Sequence, residues 1–325
     1  MRAIQVTETG GPDVLQLTEL PDPEPGAAQL LVKVAAAGVN YIDTYHRSGA
    51  YPMALPFIPG SEGSGTVIAV GPGTPDSIAV GDRVAWALSP GSYAERAVVP
   101  AEQAVPVPAG VDLEIAGGCL LQGMTAHYLA ASVHAVQSGE TVLVHAAAGG
   151  MGLLLTQLAT ARGGRVIGTV STAAKGQLAR QAGAAEIIRY TEVDDVAAEV
   201  RRLTDGDGVA AVYDGVGAST FDASLASLRP RGMLALYGAA SGPVPPIDPQ
   251  RLNSAGSVFL TRPKLADYVA SRQELLWRAG EVFDAIRAGS LRITIGGRYL
   301  LADATQAHQD LQGRRTTGKL LLLTH

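Results

Sequence analysis

The chain has 325 residues, of which 47% are hydrophobic and 17% charged, a composition typical of a folded protein that excludes general disorder. The net charge of −5 disfavours a nucleic-acid or anionic-membrane surface as the main partner, and the single cysteine, Cys119, excludes an internal disulfide. The sequence shows neither the hydrophobic block of a signal peptide nor an apolar run of membrane-spanning length, so we expect a cytoplasmic protein.

The N-terminal part of the sequence is typical of a β domain. Short apolar or β-branched runs at residues 3–7, 29–37, 65–70, 83–88 and 94–100 are separated by turn clusters rich in glycine and proline. Strands at this spacing predict a partly closed β-barrel rather than a helical bundle. Two helices are predicted to follow, at residues 111–118 and 123–132.

From Thr141 onwards, strands and helices alternate. Helices are predicted at residues 172–181 and 191–203, and Thr191 and Asp194 are placed for reciprocal capping of the second. Repeated strand–helix units imply a parallel, doubly wound sheet with helices on both faces, so the fold class is α/β. An amphipathic helix at 271–288 and strands near 291–294 and 319–323 are expected to return to the first domain. The remaining strands are predicted at residues 165–170, 186–189, 208–213, 232–238 and 257–260.

A glycine-rich turn follows the first strand of this second part. The stretch from Thr141 to Gln157 reads T-V-L-V-H-A-A-A-G-G-M-G-L-L-L-T-Q, a strand, a tight loop and a helix N-terminus. Backbone N–H groups and the helix dipole favour an anion at such a turn, although a lone match is also typical of a plain strand-to-helix connection. Its place after the first strand of a doubly wound domain favours a bound dinucleotide. The residues assigned to the pyrophosphate are Gly149, Gly150, Met151 and Gly152, because a Cβ at the glycines would push the ligand away.

The end of the second strand indicates which dinucleotide binds. An NAD site usually places Asp or Glu about twenty residues beyond the glycines, to hold the ribose 2′-hydroxyl. This chain has Ser171 there and Lys175 four residues later, with no carboxylate between them. A hydroxyl and a cation match a 2′-phosphate, so the pattern predicts NADPH; the alternative for Lys175 is an ordinary surface lysine.

Several separate motifs together resemble a known family, the zinc-independent NADPH:quinone oxidoreductases. These form the zeta-crystallin-like branch of the medium-chain dehydrogenase/reductase superfamily. The resemblance implies a GroES-like catalytic domain built from residues 1–122 and 265–325, and a Rossmann NADPH-binding domain at 123–264. Besides the glycine turn, the motifs are G-V-N-Y-I-D at 38–43, G-S-E-G-S-G at 60–65, Y-D-G-V-G at 213–217 and T-R-P at 261–263.

The sequence departs from the zinc-bearing branch at the metal-ligand positions. By resemblance, the zinc alcohol dehydrogenases of this superfamily have Cys, His and Cys at or near the positions where this chain has Asn40, Ser61 and Gln122, none of which is a good zinc ligand. The histidines do not supply a site instead, because they show no H-x-x-H or H-E-x-x-H spacing; they are His46, His127, His134, His145, His308 and His325. We therefore expect no metal.

Hydride transfer without a metal requires an acceptor that is already electrophilic, such as a quinone or an alkene conjugated to a carbonyl. By resemblance, Asn40, Tyr45 and Tyr51 lie at the cleft, where they orient the nicotinamide or the acceptor; the alternative for each tyrosine is ordinary packing. No general acid is identified, and the product can take its proton from water.

The resemblance also implies further cofactor contacts. Tyr190 corresponds to a residue beside the adenosine 2′-phosphate, with Arg314 as a second basic partner, although the adjacent Arg315 leaves that assignment open. For Arg262, an interdomain salt bridge is the alternative. The full set of further contacts is Thr169, Tyr190, Gly215, Val216, Tyr237, Gly238, Arg262 and Arg314.

The function predicted from these observations is metal-free quinone reduction with NADPH, and two alternatives stay open. One is reduction of an enone or alkenal, which the same zinc-free cleft serves. The other is a non-enzymatic role, crystallin-like or in RNA binding, although the acidic balance and the lack of an aromatic–basic cluster count against RNA. The apolar edge of the last Rossmann strand predicts a homodimer with a continuous sheet.

Overall fold

The computed structural model describes residues 1–313 and 315–324. The chain divides into two compact units. Unit 1 comprises Met1–Met124, Val269–Gly289 and the C-terminal segment from Ile293, and unit 2 comprises Thr125–Tyr268 and Ser290–Arg292.

The regular elements are named in chain order. The strands are β1 (Arg2–Gln5), β2 (Gln16–Glu19), β3 (Gln29–Val39), β4 (Glu62–Val70), β5 (Arg83–Ala87), β6 (Arg96–Pro100), β7 (Val105–Pro106), β8 (Thr141–Val144), β9 (Arg165–Val170), β10 (Glu186–Arg189), β11 (Val209–Asp214), β12 (Leu228–Leu236), β13 (Phe259–Thr261), β14 (Ile295–Leu300) and β15 (Lys319–Leu323). The α-helices are α1 (Tyr41–Ser48), α2 (Leu113–Tyr128), α3 (Gly150–Ala161), α4 (Ala173–Gln181), α5 (Val196–Leu203), α6 (Phe221–Ser227), α7 (Gln250–Ser254), α8 (Leu265–Tyr268), α9 (Arg272–Arg287) and α10 (Ala304–Gln312).

Unit 1 is built on a seven-stranded sheet. Its strand order is β14-β15-β3-β4-β5-β7, and β6 pairs with β3 beside this path, while β1 and β2 form a separate antiparallel pair. The long strand β3 joins the N-terminal strands to the C-terminal one, since Leu320 lies opposite Val39 in the antiparallel β15–β3 pair. One core of this unit lies around the fully buried Trp86, packed with Leu30, Val32 and Val99.

Unit 2 contains a six-stranded parallel sheet with the order β10-β9-β8-β11-β12-β13. The first strand along the chain, β8, is central, and the succession of strands reverses between β8 and β11. Apolar side chains such as Leu143, Ile167, Val212 and Leu234 have no exposed surface, as expected for strands covered on both faces. The carboxyl ends of β8, β9 and β11 therefore meet at one edge, where such sheets bind ligands.

The structure adds helices α1, α6, α7, α8 and α10 to the prediction and joins two predicted helices into one. Helix α1, unpredicted because few of its residues are apolar, begins after Asn40, whose N–H donates to the Asp43 carboxylate at 2.9 Å. The predicted break between helices at residue 118–123 is wrong, because α2 is continuous to Tyr128. Gly123 serves helix packing instead, since a Cβ there would lie 2.9 Å from a methyl group of Val282 on α9.

Two further predictions of local structure are wrong. Helix α5 begins at Val196 rather than 191, and Asp195 caps it by accepting from the N–H groups of Ala197 and Ala198 at 2.8 and 3.1 Å. Thr191, expected as the cap, donates to the Ser171 carbonyl at 3.1 Å. The strand expected near 291–294 begins at Ile295. Along the described part of the chain, no helix is long and apolar enough to cross a membrane.

Candidate functional site

The glycine turn lies between β8 and α3 in unit 2. Ala146, rather than a glycine, takes the left-handed conformation (φ 51°), whereas Gly149 has a φ of −76°. A Cβ on Gly152 would lie 2.3 Å from the Ala146 carbonyl oxygen and 2.6 Å from the Ala147 Cα. Gly152 therefore makes room for its own loop, a reason that differs from the expected room for a ligand. The first-turn N–H groups of α3 have no acceptor within the helix and form an anion-binding end.

A series of buried, hydrogen-bonded side chains contacts the backbone of this turn. His145 Nδ1 lies 3.0 Å from the Thr169 hydroxyl, and His145 Nε2 lies 3.0 Å from the Ser224 hydroxyl. Ser224 donates to Asp214 at 2.7 Å, and the Ala146 N–H donates to the Thr169 hydroxyl at 3.3 Å. Burial lowers the pKa of His145, so its ring is neutral. Thr169, predicted as a cofactor contact, thus has its hydroxyl engaged within the protein.

The residues predicted for the 2′-phosphate lie at the ends of two adjacent strands. Val170 is opposite Arg189 in the parallel β9–β10 pair, so Ser171 and Tyr190 follow neighbouring strand ends. Lys175 lies in the first turn of α4, and Tyr190 is 41% exposed. The fold brings these three side chains to one corner of the sheet, with a hydroxyl, a cation and an accessible ring.

The turns after β11 and β12 pack closely on each other. A Cβ on Gly215 would lie 2.7 Å from the Tyr237 ring, and one on Gly238 would lie 2.4 Å from the Gly215 carbonyl oxygen. Val216 donates its N–H to Asp214 at 2.8 Å. Arg262 is exposed and directly follows β13. The glycines of these turns allow the two backbones to meet at the carboxyl edge of the sheet.

Unit 1 contains a fully buried charged cluster around Asn40. The Lys319 ammonium group pairs with the Glu62 carboxylate and donates to Asn40 Oδ1 at 2.7 Å. Asn40 Nδ2 donates to Glu62 Oε1 at 3.0 Å, and Gln122 Nε2 donates to Asn40 Oδ1 at 3.3 Å. Gly38 leaves space for the pair, since a Cβ there would lie 2.7 Å from Lys319 Cε. The Asn40 amide therefore has both ends committed inside the protein.

A second buried chain begins at Asp43. Its carboxylate accepts from the Ser61 hydroxyl at 2.7 Å, the Ser61 N–H at 3.0 Å and the Tyr93 hydroxyl at 3.2 Å. The Tyr93 oxygen lies 3.1 Å from His308 Nε2, and His308 Nδ1 lies 3.2 Å from an Arg47 nitrogen. Burial raises the pKa of Asp43 to about 6, and burial with the Arg47 charge lowers that of His308 to about 3.

The two tyrosines predicted at the cleft lie together at the end of α1. The ring centroids of Tyr45 and Tyr51 are 5.2 Å apart with an interplanar angle of 56°, and Tyr51 is 42% exposed. Helix α1 ends at Gly49 in the left-handed conformation (φ 81°), which turns the chain so that the Tyr51 N–H reaches the Tyr45 carbonyl at 3.1 Å. The pair offers aromatic surface with polar ends.

The arginine pair near the C-terminus is described only in part. Arg314, predicted beside the 2′-phosphate, lies outside the described residues. Arg315 pairs with Asp310 at 2.6 Å within unit 1.

The residues present do not fit a zinc ion. Ser61 donates to Asp43, Asn40 and Gln122 bond to each other, and Lys319 places a fixed cation among them. Over residues 1–313 and 315–324, no three His, Cys, Asp or Glu side chains are grouped to hold a metal. Amide and hydroxyl groups facing an ammonium ion are poor partners for zinc.

Sequence reasoning missed the charged partners of the cluster. Lys319 opens β15, reading K-L-L-L-L, and a lysine at the start of such a continuous apolar run indicates a buried ion pair. Glu62 and Asp43 stand inside quoted motifs, but sequence alone does not show that their side chains point inwards.

Comparison with known proteins identifies the family. The chain is 45% identical over 324 residues to a quinone oxidoreductase of Pseudomonas aeruginosa, and the match covers 99% of both chains. The chain belongs to the quinone oxidoreductase family, within the medium-chain dehydrogenase/reductase superfamily. The resemblance drawn from the sequence motifs is thereby confirmed.

Matches to domain families confirm the predicted fold class. The alcohol dehydrogenase GroES-like domain family matches residues 26–109, and the zinc-binding dehydrogenase family matches residues 150–270. The chain is thus an α/β protein with a GroES-like and a Rossmann domain.

Two further proteins that are similar to this chain have names that describe their ligand or reaction. A mycobacterial protein solved as a complex with NADPH is 57% identical, with a TM-score of 0.96 and complete coverage of both chains. A 2-haloacrylate reductase of a Burkholderia species is 41% identical over 329 residues, covering 99% of this chain and 98% of that relative.

Proposed function

We propose that this chain is an NADPH-dependent quinone oxidoreductase that works without zinc. The observation that carries the proposal is the pairing of the glycine turn before α3 with Ser171, Lys175 and Tyr190 at the ends of β9 and β10. An anion-binding helix end beside a carboxylate-free 2′-phosphate corner fits NADPH rather than NADH. The NADPH complex of the mycobacterial relative and the quinone oxidoreductase from Pseudomonas support it.

The chain's own residues bind and orient the cofactor, and bound NADPH supplies the hydride. The N–H groups of Gly150, Met151 and Gly152 at the start of α3 hold the pyrophosphate. The turns at Gly215 and Gly238 allow close approach to the ribose. We retain Val216, Tyr237, Arg262 and Arg314 as further proposed contacts.

For the acceptor side we propose that Tyr45 and Tyr51 contact the quinone. Their tilted rings give a planar acceptor an apolar face, while the phenol hydroxyls reach its carbonyl oxygens. Asn40 has a positioning role rather than a direct contact with the acceptor, because its side-chain amide is already hydrogen-bonded to Glu62, Lys319 and Gln122. A quinone needs no Lewis acid, since the developing negative charge spreads over its conjugated oxygens.

We infer that unit 1 is the catalytic domain, predicted as residues 1–122 and 265–325. Unit 2 is then the nucleotide-binding domain, predicted as residues 123–264. The exposed Phe259 on the edge strand β13 supports a homodimer through that strand. The single cysteine, typical of a reducing compartment, supports a cytoplasmic location. Light scattering of wild type and a Phe259→Lys variant tests the dimer, and a monomeric wild type contradicts it.

Steady-state kinetics test the proposed function. We expect turnover of simple quinones with NADPH, with a much larger kcat/KM than with NADH. Absence of quinone turnover with both cofactors contradicts the proposal.

The second candidate is reduction of an electron-poor alkene. The similarity to the 2-haloacrylate reductase favours it, because the same metal-free chemistry serves an alkene conjugated to a carboxylate. A panel of quinones, alkenals and 2-haloacrylates assayed under the same conditions ranks the two candidates by kcat/KM.

A further inference from the structure

The chain Asp214–Ser224–His145–Thr169 has one defined direction of hydrogen bonding. Asp214 only accepts, since the N–H groups of Val216 and Gly217 and the hydroxyls of Thr220 and Ser224 all donate to it, at 2.7–3.0 Å. Because the Ser224 proton is used there, the Ser224 oxygen accepts from His145 Nε2–H. A neutral His145 then accepts at Nδ1 from the Thr169 hydroxyl.

The chain ends at the backbone of the glycine turn. The Thr169 oxygen, having donated its proton to His145, accepts the N–H of Ala146 at 3.3 Å. The Thr169 carbonyl accepts the next N–H, that of Ala147, at 3.0 Å. Ala146 is the left-handed residue of the turn, a conformation that costs about 1 kcal/mol or more for a residue with a side chain. These bonds hold that conformation.

We propose that His145 is a positioning residue that sets the shape of the pyrophosphate turn by linking the β11 carboxylate Asp214 to the Ala146 backbone through Ser224 and Thr169. This inference rests on the proposed NADPH function. His145 is only 2% exposed, so it acts through Thr169 rather than by touching the ligand. The network connects the ends of β8, β9 and β11 with α6.

The test separates the pyrophosphate from the adenosine end of the ligand. Adenosine 2′-monophosphate carries the 2′-phosphate but no pyrophosphate, so its affinity reports the adenosine 2′-phosphate end of the site without the pyrophosphate turn. Calorimetric titration measures the binding of NADP⁺ and of this fragment to wild type, His145→Leu and Thr169→Val. Both variants should bind NADP⁺ roughly tenfold or more weakly than wild type. Binding of the fragment should stay within about twofold of wild type.

Matched variants distinguish positioning from loss of structure. Thr169→Ser keeps the hydroxyl and should restore NADP⁺ binding. His134→Leu makes the same substitution at a histidine that pairs with Glu140 before β8, and it should leave both affinities unchanged. Equal weakening of both ligands in His145→Leu and Thr169→Val, or unchanged NADP⁺ binding in both, overturns the inference. A wild type that fails to bind NADP⁺ overturns the proposed function instead.

Discussion

His308 and Asp43 are expected to give unit 1 two opposing dependences of stability on pH. The neutral His308 ring bridges Arg47 and Tyr93, and Tyr93 donates to Asp43. Burial and Arg47 lower the pKa of His308 from 6.5 to about 3. Burial raises the pKa of Asp43 from 3.8 to about 6.

The two groups change the stability of the folded state in opposite directions as the pH falls. The unfolded chain protonates His308 first, so acidification below about pH 6.5 destabilises the folded state through this residue. The folded state protonates Asp43 first, so the stability that it contributes is complete below about pH 4 and is lost as the pH rises through about 6. Each contributes about 1.4 kcal/mol per pH unit in its range, and in the wild type the two nearly cancel between about pH 4 and 6, where the ranges overlap.

Substituting His308→Gln separates them. The glutamine amide can donate to Tyr93 and accept from Arg47, but it does not titrate. Between about pH 6.5 and 4.5 the wild type loses about 2 kcal/mol through His308, and the variant does not. The free energy of unfolding of the variant should therefore rise by about 2 kcal/mol relative to wild type on acidification. The free energy of unfolding of Asp43→Asn should fall by about the same amount relative to wild type over this pH range.

Urea unfolding at several pH values measures this difference. Trp86 is buried in unit 1 and Trp277 is 48% exposed, so a Trp277→Phe background makes Trp86 the reporter. Gln312→Leu removes an Arg47 hydrogen bond without removing a titrating group, so its offset from wild type should not change with pH. A His308→Gln profile parallel to that of wild type would refute the reasoning.

Three further predictions follow from the site. Replacing Lys175 with Ala should raise the KM for NADPH roughly 10- to 150-fold, the equivalent of about 1.5–3 kcal/mol for a charge-assisted contact, and leave that for NADH nearly unchanged; equal losses contradict the 2′-phosphate assignment. Activity should survive exhaustive dialysis against a chelator, and a loss that zinc restores would contradict the metal-free reading. Lys319→Met should lower the free energy of unfolding by about 3–5 kcal/mol, because it leaves the buried Glu62 carboxylate without the positive charge of Lys319. Breaking the exposed Arg298–Glu114 pair with Arg298→Met should cost less than about 1 kcal/mol, and equal small effects of the two variants in denaturant titrations would contradict the prediction.

Much of the secondary structure could be predicted because it depends on neighbouring residues. Strands β9, β10 and β15 begin and end at the predicted residues, since each is a short apolar run bounded by turn or helix signals. Helix α9 begins after Ser271, whose hydroxyl accepts the Glu274 N–H at 3.2 Å, a local capping pattern. Prediction failed where more than one nearby residue could cap a helix, as with Thr191 and Asp195 before α5.

Gly123 also shows where prediction from neighbouring residues fails. Gly123 suggests a helix break from sequence, because glycine costs about 1 kcal/mol in a helix interior. In the structure it allows α9 to pack closely, since its missing Cβ would meet Val282. Whether a glycine ends a helix or accommodates a neighbour depends on residues distant in the chain.

By itself, the sequence determined the glycine turn and the carboxylate-free end of β9, because each of these is a property of adjacent residues, and the α/β fold class, because strand and helix patterns alternate along the chain. The resemblance to a known family added Asn40, Ser61 and Gln122 at the zinc-ligand positions. Only the tertiary structure decided which partners Asn40, Ser61 and Gln122 bond and what supports the turn. Lys319 reaches Asn40 across 279 positions of sequence, and His145 reaches Ser224 across 79. Buried polar groups must find partners wherever the fold places them, and that placement is set by packing between distant segments rather than by local pattern.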